Sequence, residues 1–136
     1  MSAKENVDLM LGIFTAIERR DFERMLGLCH ADVEFLWPPS LPYGEGGRGA
    51  WAQTWIPLQP TEAERRMDPR IVAATEDEVV VLWRQRGVSW AGDRFDGPVV
   101  GLYQVRAGKL ARAQMFYFDT AALVSFLARA TGTTAA

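Results

Sequence analysis

Apolar side chains recur at helical spacing near the start of the chain. Val7, Met10, Leu11, Phe14 and Ile17 fall at i, i+3, i+4, i+7 and i+10, and so share one face of a helix. The pattern predicts an amphipathic helix that continues to about residue 20.

After this helix the spacing changes to that of a strand. Asp21 is placed to cap a second short helix that closes at His30. Every second position from residue 33 to residue 37 is apolar, which predicts a strand, and Pro38 ends it because proline cannot donate to a β-ladder. A loop rich in proline and glycine follows, and residues 50–56 predict a short helix that bears two tryptophans.

The second half of the chain predicts four strands and a last helix. The strands cover residues 71–74, 78–90, 95–105 and 110–118. The helix begins after Asp119 and ends at about residue 130. Helices segregated from a run of antiparallel strands are typical of an α+β fold. We expect a single domain over residues 1–136, in which a curved antiparallel sheet wraps the N-terminal helices as a cone with an apolar interior.

Composition and charge narrow the classes of function. The chain has 136 residues, of which 49% are hydrophobic and 24% charged, as in one soluble domain. A net charge of −2 argues against a broad basic surface for nucleic acid or an acidic membrane. The longest apolar run, Val79–Trp83, is far too short to cross a bilayer. With one cysteine, one histidine and no signal-peptide core, we expect a cytoplasmic protein without a bound metal or cofactor.

Several short motifs resemble one family in their order and spacing. They are RDF at residues 20–22, ADVEF at 31–35, PSLPYG at 39–44, GLYQV at 101–105 and YFD at 117–119. Together they are similar to the SnoaL-like branch of the nuclear transport factor 2-like superfamily, whose relatives include polyketide cyclases and limonene epoxide hydrolases. The resemblance implies a cystatin-like α+β roll, a pocket for a small hydrophobic molecule, and a homodimer formed through the outer face of the sheet.

The catalytic positions of these relatives carry other residues here. By resemblance to ketosteroid isomerases, which use an aspartate base and a tyrosine donor, the base falls on Trp37 and the tyrosine near Ile13 or Phe14. By resemblance to limonene epoxide hydrolases, the Arg-x-Asp pair falls near Leu82 and Arg84. The required carboxylates are missing at these positions.

Three polar residues in the predicted strands are candidates to act on a ligand. Alternation along the long strand allows Arg84 to point into the cone; otherwise it is solvated where the strand emerges. Asp96, beside the predicted hairpin, could be an acid at the edge of the pocket or a turn residue. Tyr117 could donate a hydrogen bond to a ligand carbonyl. The expected lining of the pocket is Phe14, Trp37, Tyr43, Trp55, Leu82 and Met115.

These residues support rival hypotheses of function. In the first, Arg84, Asp96 and Tyr117 transfer protons on a hydrophobic ring compound (a polyketide, a terpenoid or a steroid-like molecule) by isomerisation, cyclisation or epoxide hydration. In the second, the pocket binds such a compound without changing it. In the third, large side chains fill the cone and the domain serves interaction alone.

Phe116 and Phe118 fall on the outer face of the sheet, where exposed aromatics predict the dimer interface.

Overall fold

The computed structural model describes residues 2–42 and 55–130 of the chain. Its helices are α1 (Ala3–Glu18), α2 (Phe22–Gly27), α3 (Glu62–Arg65) and α4 (Thr120–Ala130), with a 3-10 helix at Ile56–Leu58. Its strands are β1 (Cys29–Leu36), β2 (Arg70–Ala74), β3 (Glu78–Val88), β4 (Arg94–Arg106) and β5 (Lys109–Tyr117).

The strands form one sheet in the order β1-β5-β4-β3-β2. Strands β2 to β5 pair antiparallel, as predicted, whereas β1 lies parallel to β5 at the edge of the sheet. Helix α1 packs against β2, β3 and β5 and against α2. The predicted α+β roll is confirmed, with one parallel pair that the antiparallel prediction missed.

The first helix begins with a capping box. Ser2 Oγ accepts from the Glu5 backbone N–H, and the Glu5 carboxylate accepts from the Ser2 backbone N–H. Met10 and Phe14 lie on its buried face, as predicted, together with Ile13. Leu11 is 36% exposed, because the face that meets the sheet is turned toward Ile13.

Strict alternation along β3 separates the two faces of the sheet. The inner face, which packs against α1, carries the buried side chains Val79, Val81, Trp83 and Gln85. The outer face carries the partly exposed side chains Val80, Leu82, Arg84 and Arg86. Alternate residues of β3 therefore point into the interior, and the residues between them point outward.

The prediction that His30 closes the second helix is wrong. Helix α2 ends at Gly27, and Leu28 is its C-cap. The Leu28 carbonyl accepts from the Leu110 N–H at 3.0 Å, so the chain enters the sheet at once and His30 lies in β1.

Most of the predicted helix at residues 50–56 lies outside the described residues, and its described residue Trp55 is helical. Only the end of that segment falls within the described residues, where a short 3-10 helix begins at Ile56. The sequence analysis did not predict α3, which Thr61 caps by accepting from the Glu64 N–H.

The last helix closes the interior against Trp55. Asp119 caps α4 by accepting from the Ala122 N–H at 3.0 Å, as predicted. Phe126 of α4 stacks on Trp55 with ring centroids 6.2 Å apart. Trp55 also lies directly on Gly87, where a Cβ atom would come within 2.7 Å of the indole. The absence of a side chain at Gly87 is therefore what allows Trp55 to sit against β3.

Large apolar side chains also remain outside the fold. Phe116 is 50% exposed and Phe118 is 85% exposed, on the outer side that alternation predicted. Trp90, in the hairpin between β3 and β4, is 87% exposed. In residues 2–42 and 55–130, no helix combines the length and the apolar character needed to cross a membrane.

Candidate functional site

A cavity of about 60 Å³ lies between the inner face of the sheet and the helices. Its described lining is Met10, Ile13, Phe14, Ile17, Met25, Phe35, Trp37, Trp55, Gln59, Arg65, Met67, Trp83, Gln85, Tyr103, Leu110, Ala113, Met115 and Tyr117. Of these, Ile17, Trp37 and Arg65 are partly exposed and the others are buried. The cavity therefore approaches the surface beside those three residues.

Methionines make up an unusual share of the wall. Four of the five methionines in the chain line the cavity, namely Met10, Met25, Met67 and Met115. The present volume holds a few water molecules, whereas a cavity of roughly 150 Å³ holds a benzene ring. Methionine side chains are unbranched and repack readily. The side chains that a ring compound must displace are thus among the most adaptable apolar ones.

Three hydrogen-bond donors converge on the inner face. Val99 of β4 pairs with Trp83 on one side and with Tyr117 on the other, and the rings of Trp83 and Tyr117 lie 6.4 Å apart. Phe14 of α1 makes edge contacts at 5.9 Å with both Trp83 and Tyr103. The ring contacts thus hold the two phenols and the indole together against α1.

Among these donors, the indole N–H has no normal acceptor within the described residues. The Trp83 Nε1 is buried and makes no hydrogen bond of normal geometry. It lies near enough to the Tyr103 oxygen to favour the ionised form of that tyrosine. Burial nevertheless raises the pKa of Tyr103, and that of Tyr117, far above the ordinary value. At neutral pH both phenols are therefore neutral O–H groups that can donate to an oxygen atom.

The end of the cavity nearer the surface is more polar. Gln85 lies two residues beyond Trp83 on the same face of β3, about 7 Å further along the strand. It is only 6% exposed, and its amide makes no hydrogen bond within the described chain. Gln59 donates from Nε2 to the Arg86 main-chain carbonyl at 3.0 Å. The main-chain carbonyl of Gln59 accepts from Arg65 Nε at 3.1 Å.

Most of the predicted lining is where the sequence analysis placed it. Phe14, Trp37, Trp55 and Met115 line the cavity, and so does Tyr117 of the predicted polar set. Tyr43, which was also predicted to line it, lies outside the described residues.

The predicted trio of Arg84, Asp96 and Tyr117 is not brought together. Arg84 Nε donates to Asp96 Oδ1 at 2.7 Å, but this pair lies on the outer face while Tyr117 lies inside. The two side chains are 40% and 51% exposed. Leu82 also points outward and does not line the cavity. The physical reason is the two-residue period of β3, which places Trp83 and Gln85 inward and their neighbours outward.

Sequence reasoning missed Tyr103, although a signal was present. Tyr103 and Gly101 share the inner face of β4, and a Cβ atom on Gly101 would overlap the Tyr103 hydroxyl. The tyrosine ring occupies the space that a side chain at Gly101 would take. A glycine two positions before an aromatic residue in a strand is the pattern that could have indicated this arrangement.

The lining offers donors but few groups that transfer protons at neutral pH. Among the described residues it contains no carboxylate, histidine or cysteine, and its charged member is Arg65. No group of three or more potential metal ligands is present in the described part of the chain. What this arrangement can do chemically is to surround an apolar ring and donate hydrogen bonds to its oxygen atoms.

Comparisons with known proteins agree with this architecture. The profile of the SnoaL-like domain family matches residues 11–113. An NTF2-like protein from Burkholderia xenovorans is 25% identical, with a TM-score of 0.71 over 96% of this chain and 98% of that one. TerC, crystallised with polyporic acid, is 22% identical with a TM-score of 0.69 over 90% of this chain and 98% of its own.

A third solved structure is that of a proposed polyketide cyclase from Xanthomonas campestris. It is 21% identical, with a TM-score of 0.71 over 92% of this chain and 98% of that one. No curated protein matches the sequence. The structural likenesses extend over nearly the whole chain and concern the fold.

Proposed function

The chain belongs to the family of SnoaL-like domains, and from that premise we propose that its cavity binds a flat hydrophobic ring compound that carries a carbonyl or phenol oxygen. The observation that carries this proposal is the group of donors on the inner face, formed by Tyr103, Tyr117 and Trp83, in which the Trp83 Nε1 is buried without a hydrogen bond of normal geometry. Buried polar groups in proteins are nearly always hydrogen-bonded. Donors that are left without a protein acceptor in an apolar cavity therefore suit an acceptor on a ligand.

The rest of the wall suits the ring itself. Phe14, Trp37 and Trp55 present aromatic surface, and aromatic rings pack well against other rings. Methionines provide the movement by which the present 60 Å³ can enlarge around two fused rings. TerC was crystallised with polyporic acid, and the Xanthomonas protein is described as a proposed polyketide cyclase. Both descriptions name oxygenated ring compounds of the class that we propose here.

Binding without turnover accounts for the described residues better than catalysis does. Removal of a proton from a ring carbon needs a base within hydrogen-bond reach. Phenols with raised pKa values donate well but do not accept protons at neutral pH. We propose the non-catalytic alternative for this reason, with the donors setting the orientation of the ligand.

A small ketone and a hydrocarbon with the same ring skeleton test the proposal. We expect 1-tetralone to bind and tetralin, which has the same two rings without the carbonyl, to bind at least several-fold more weakly, as measured by quenching of tryptophan fluorescence and by calorimetry. One hydrogen bond to a buried donor contributes about 1 kcal/mol, or roughly fivefold in affinity. The variants Y103F and Y117F should each reduce this preference for the ketone.

Variant R84Q is the control, since Arg84 lies on the outer face and should not change either affinity. Equal binding of the two compounds would contradict the role of the donors. In D2O, bound 1-tetralone should exchange the hydrogens next to its carbonyl no faster than in buffer, as followed by NMR. Faster exchange would show that the protein supplies a base, and would replace the proposal of binding by one of enzymatic isomerisation.

A further inference from the structure

Two arginines meet at Gln59, which lines the cavity. Arg65 lines the cavity and donates from Nε to the Gln59 carbonyl at 3.1 Å. Arg20, in the turn after α1, donates from Nη2 to Gln59 Oε1. One buried glutamine thus holds two guanidinium groups, one through its main chain and the other through its side chain.

Neither guanidinium has a carboxylate partner within the described residues. Their other acceptors are the carbonyls of Ile17, at 3.2 Å from Arg20, and Pro60, at 3.5 Å from Arg65. The Nε of Arg20 is buried without a hydrogen bond. Glu18, near the end of α1, makes no ion pair with either arginine, and its Oε2 accepts from the Met67 N–H at 2.7 Å.

Other arginines of the same region do have acidic partners. Arg66, the next residue after Arg65, pairs with Asp68 at 3.3 Å, and Arg86 pairs with Asp68 at 2.8 Å. Within the described residues, Arg20 and Arg65 thus differ from Arg66 and Arg86 in having no carboxylate partner. Burial, and to a lesser degree the charge of Arg65, lowers the pKa of Arg20 to about 10, so Arg20 remains cationic at neutral pH.

Two partly buried positive charges without an ion-pair partner in residues 2–42 and 55–130 are unfavourable, and an anion would relieve both desolvation and repulsion. A guanidinium matches the two oxygens of a carboxylate in geometry. Gln85 adds an independent observation, since its amide is 6% exposed, lines the cavity and has no partner in the described chain. An amide N–H₂ placed near the two arginines can donate to the same anion.

We propose that the ligand of this cavity is an acid, whose ring lies among the aromatic and methionine side chains and whose carboxylate or acidic enol is held by Arg65 and Gln85, with the positive charge of Arg20 added through its contact with Gln59. The proposal rests on the proposed function and narrows its ligand class. The neutral donors Tyr103 and Tyr117 then meet a second oxygen at the other end of the ring. Recognition is divided between a charged end near the surface and a neutral end inside.

An acid and its ester test this inference. 2-Naphthoic acid and methyl 2-naphthoate share the rings and the carbonyl and differ in charge. We expect the wild-type protein to bind the acid at least tenfold more tightly than the ester, since hydrogen bonds to ionised groups are stronger than neutral ones. Variant R65Q should lose most of that preference, chiefly through weaker binding of the acid, whereas R65K should retain part of it.

Variant R66Q is the matched control, because it removes the same charge from the adjacent residue, whose side chain does not line the cavity. A second measurement needs no variant: increasing salt should weaken binding of the acid and leave the ester unaffected. If the ester binds as tightly as the acid, the inference is overturned while the proposed function stands. If 1-tetralone and both naphthoates fail to bind, the proposed function fails and this inference fails with it.

Discussion

The two faces of the sheet differ in how their polar groups are satisfied, although the same strands build both. On the outer face, Arg84 and Arg86 are ion-paired with Asp96. On the inner face, one residue away along β3, the Trp83 indole and the Gln85 amide have no hydrogen-bonded partner of normal geometry in the described chain. Charged residues first attract attention in a search for a site, but here they satisfy one another. The unpaired neutral groups inside are the better guide to a ligand.

The largest expected difference between the faces is in stability. Replacing Trp83, which is 5% exposed, by alanine should lower the free energy of unfolding by about 3–5 kcal/mol. Trp90, which is 87% exposed, provides the same substitution outside the core, and W90A should change it by no more than about 0.5 kcal/mol. Urea denaturation of both variants measures this contrast. Similar losses for the two would show that the inner face is not the core of the domain.

The sequence predicted the elements well because periodicity is a local property. The last helix has the predicted bounds, Thr120–Ala130, and the four strands of the second half differ from prediction by one or two residues at most ends. The start of β1, by contrast, is marked by a hydrogen bond between Leu28 and Leu110, which is far away in sequence. Local spacing does not reveal such a contact. That is why His30 was assigned to a helix.

The candidate site was predicted less completely, because a site depends on which face each strand turns inward. An assignment shifted by one residue exchanges the faces, and this happened for Leu82 and Arg84. Tyr117 and Met115 were correctly placed in the interior from the same alternation on β5. The arginine pair at Gln59 joins the turn after α1 to residues 59–65, and no local pattern could have predicted that contact.

The buried tyrosines predict a second, intermediate effect, at alkaline pH. Burial raises the folded-state pKa of Tyr103 and Tyr117 above the value of about 10 that exposed tyrosine has. The stabilisation is fully present below about pH 10 and is lost above it, because the unfolded chain then releases protons that the folded chain keeps. The loss is about 1.4 kcal/mol per pH unit for each tyrosine.

Variant Y117F should therefore flatten the fall of unfolding free energy with pH by about that amount, in urea denaturation between about pH 10 and 11. Comparison with the wild type is essential, since Arg20, with a pKa lowered to about 10, titrates in the opposite sense and contributes equally to both proteins. Identical slopes would mean that Tyr117 ionises as easily in the folded state as in the unfolded one, and that it is not buried in solution.

The smallest effect is expected where the sequence first indicated chemistry. Arg84 and Asp96 are each 40% or more exposed, and ion pairs in such surroundings contribute about 0–1 kcal/mol. Variants R84Q and D96N should lower the free energy of unfolding by less than 1 kcal/mol each, an effect that salt should diminish further. Both should bind 1-tetralone as the wild type does, because the pair lies on the opposite side of the sheet from Tyr117. A loss of binding in either variant would restore the outer pair as part of the site, and would mean that the ligand reaches the protein from that face.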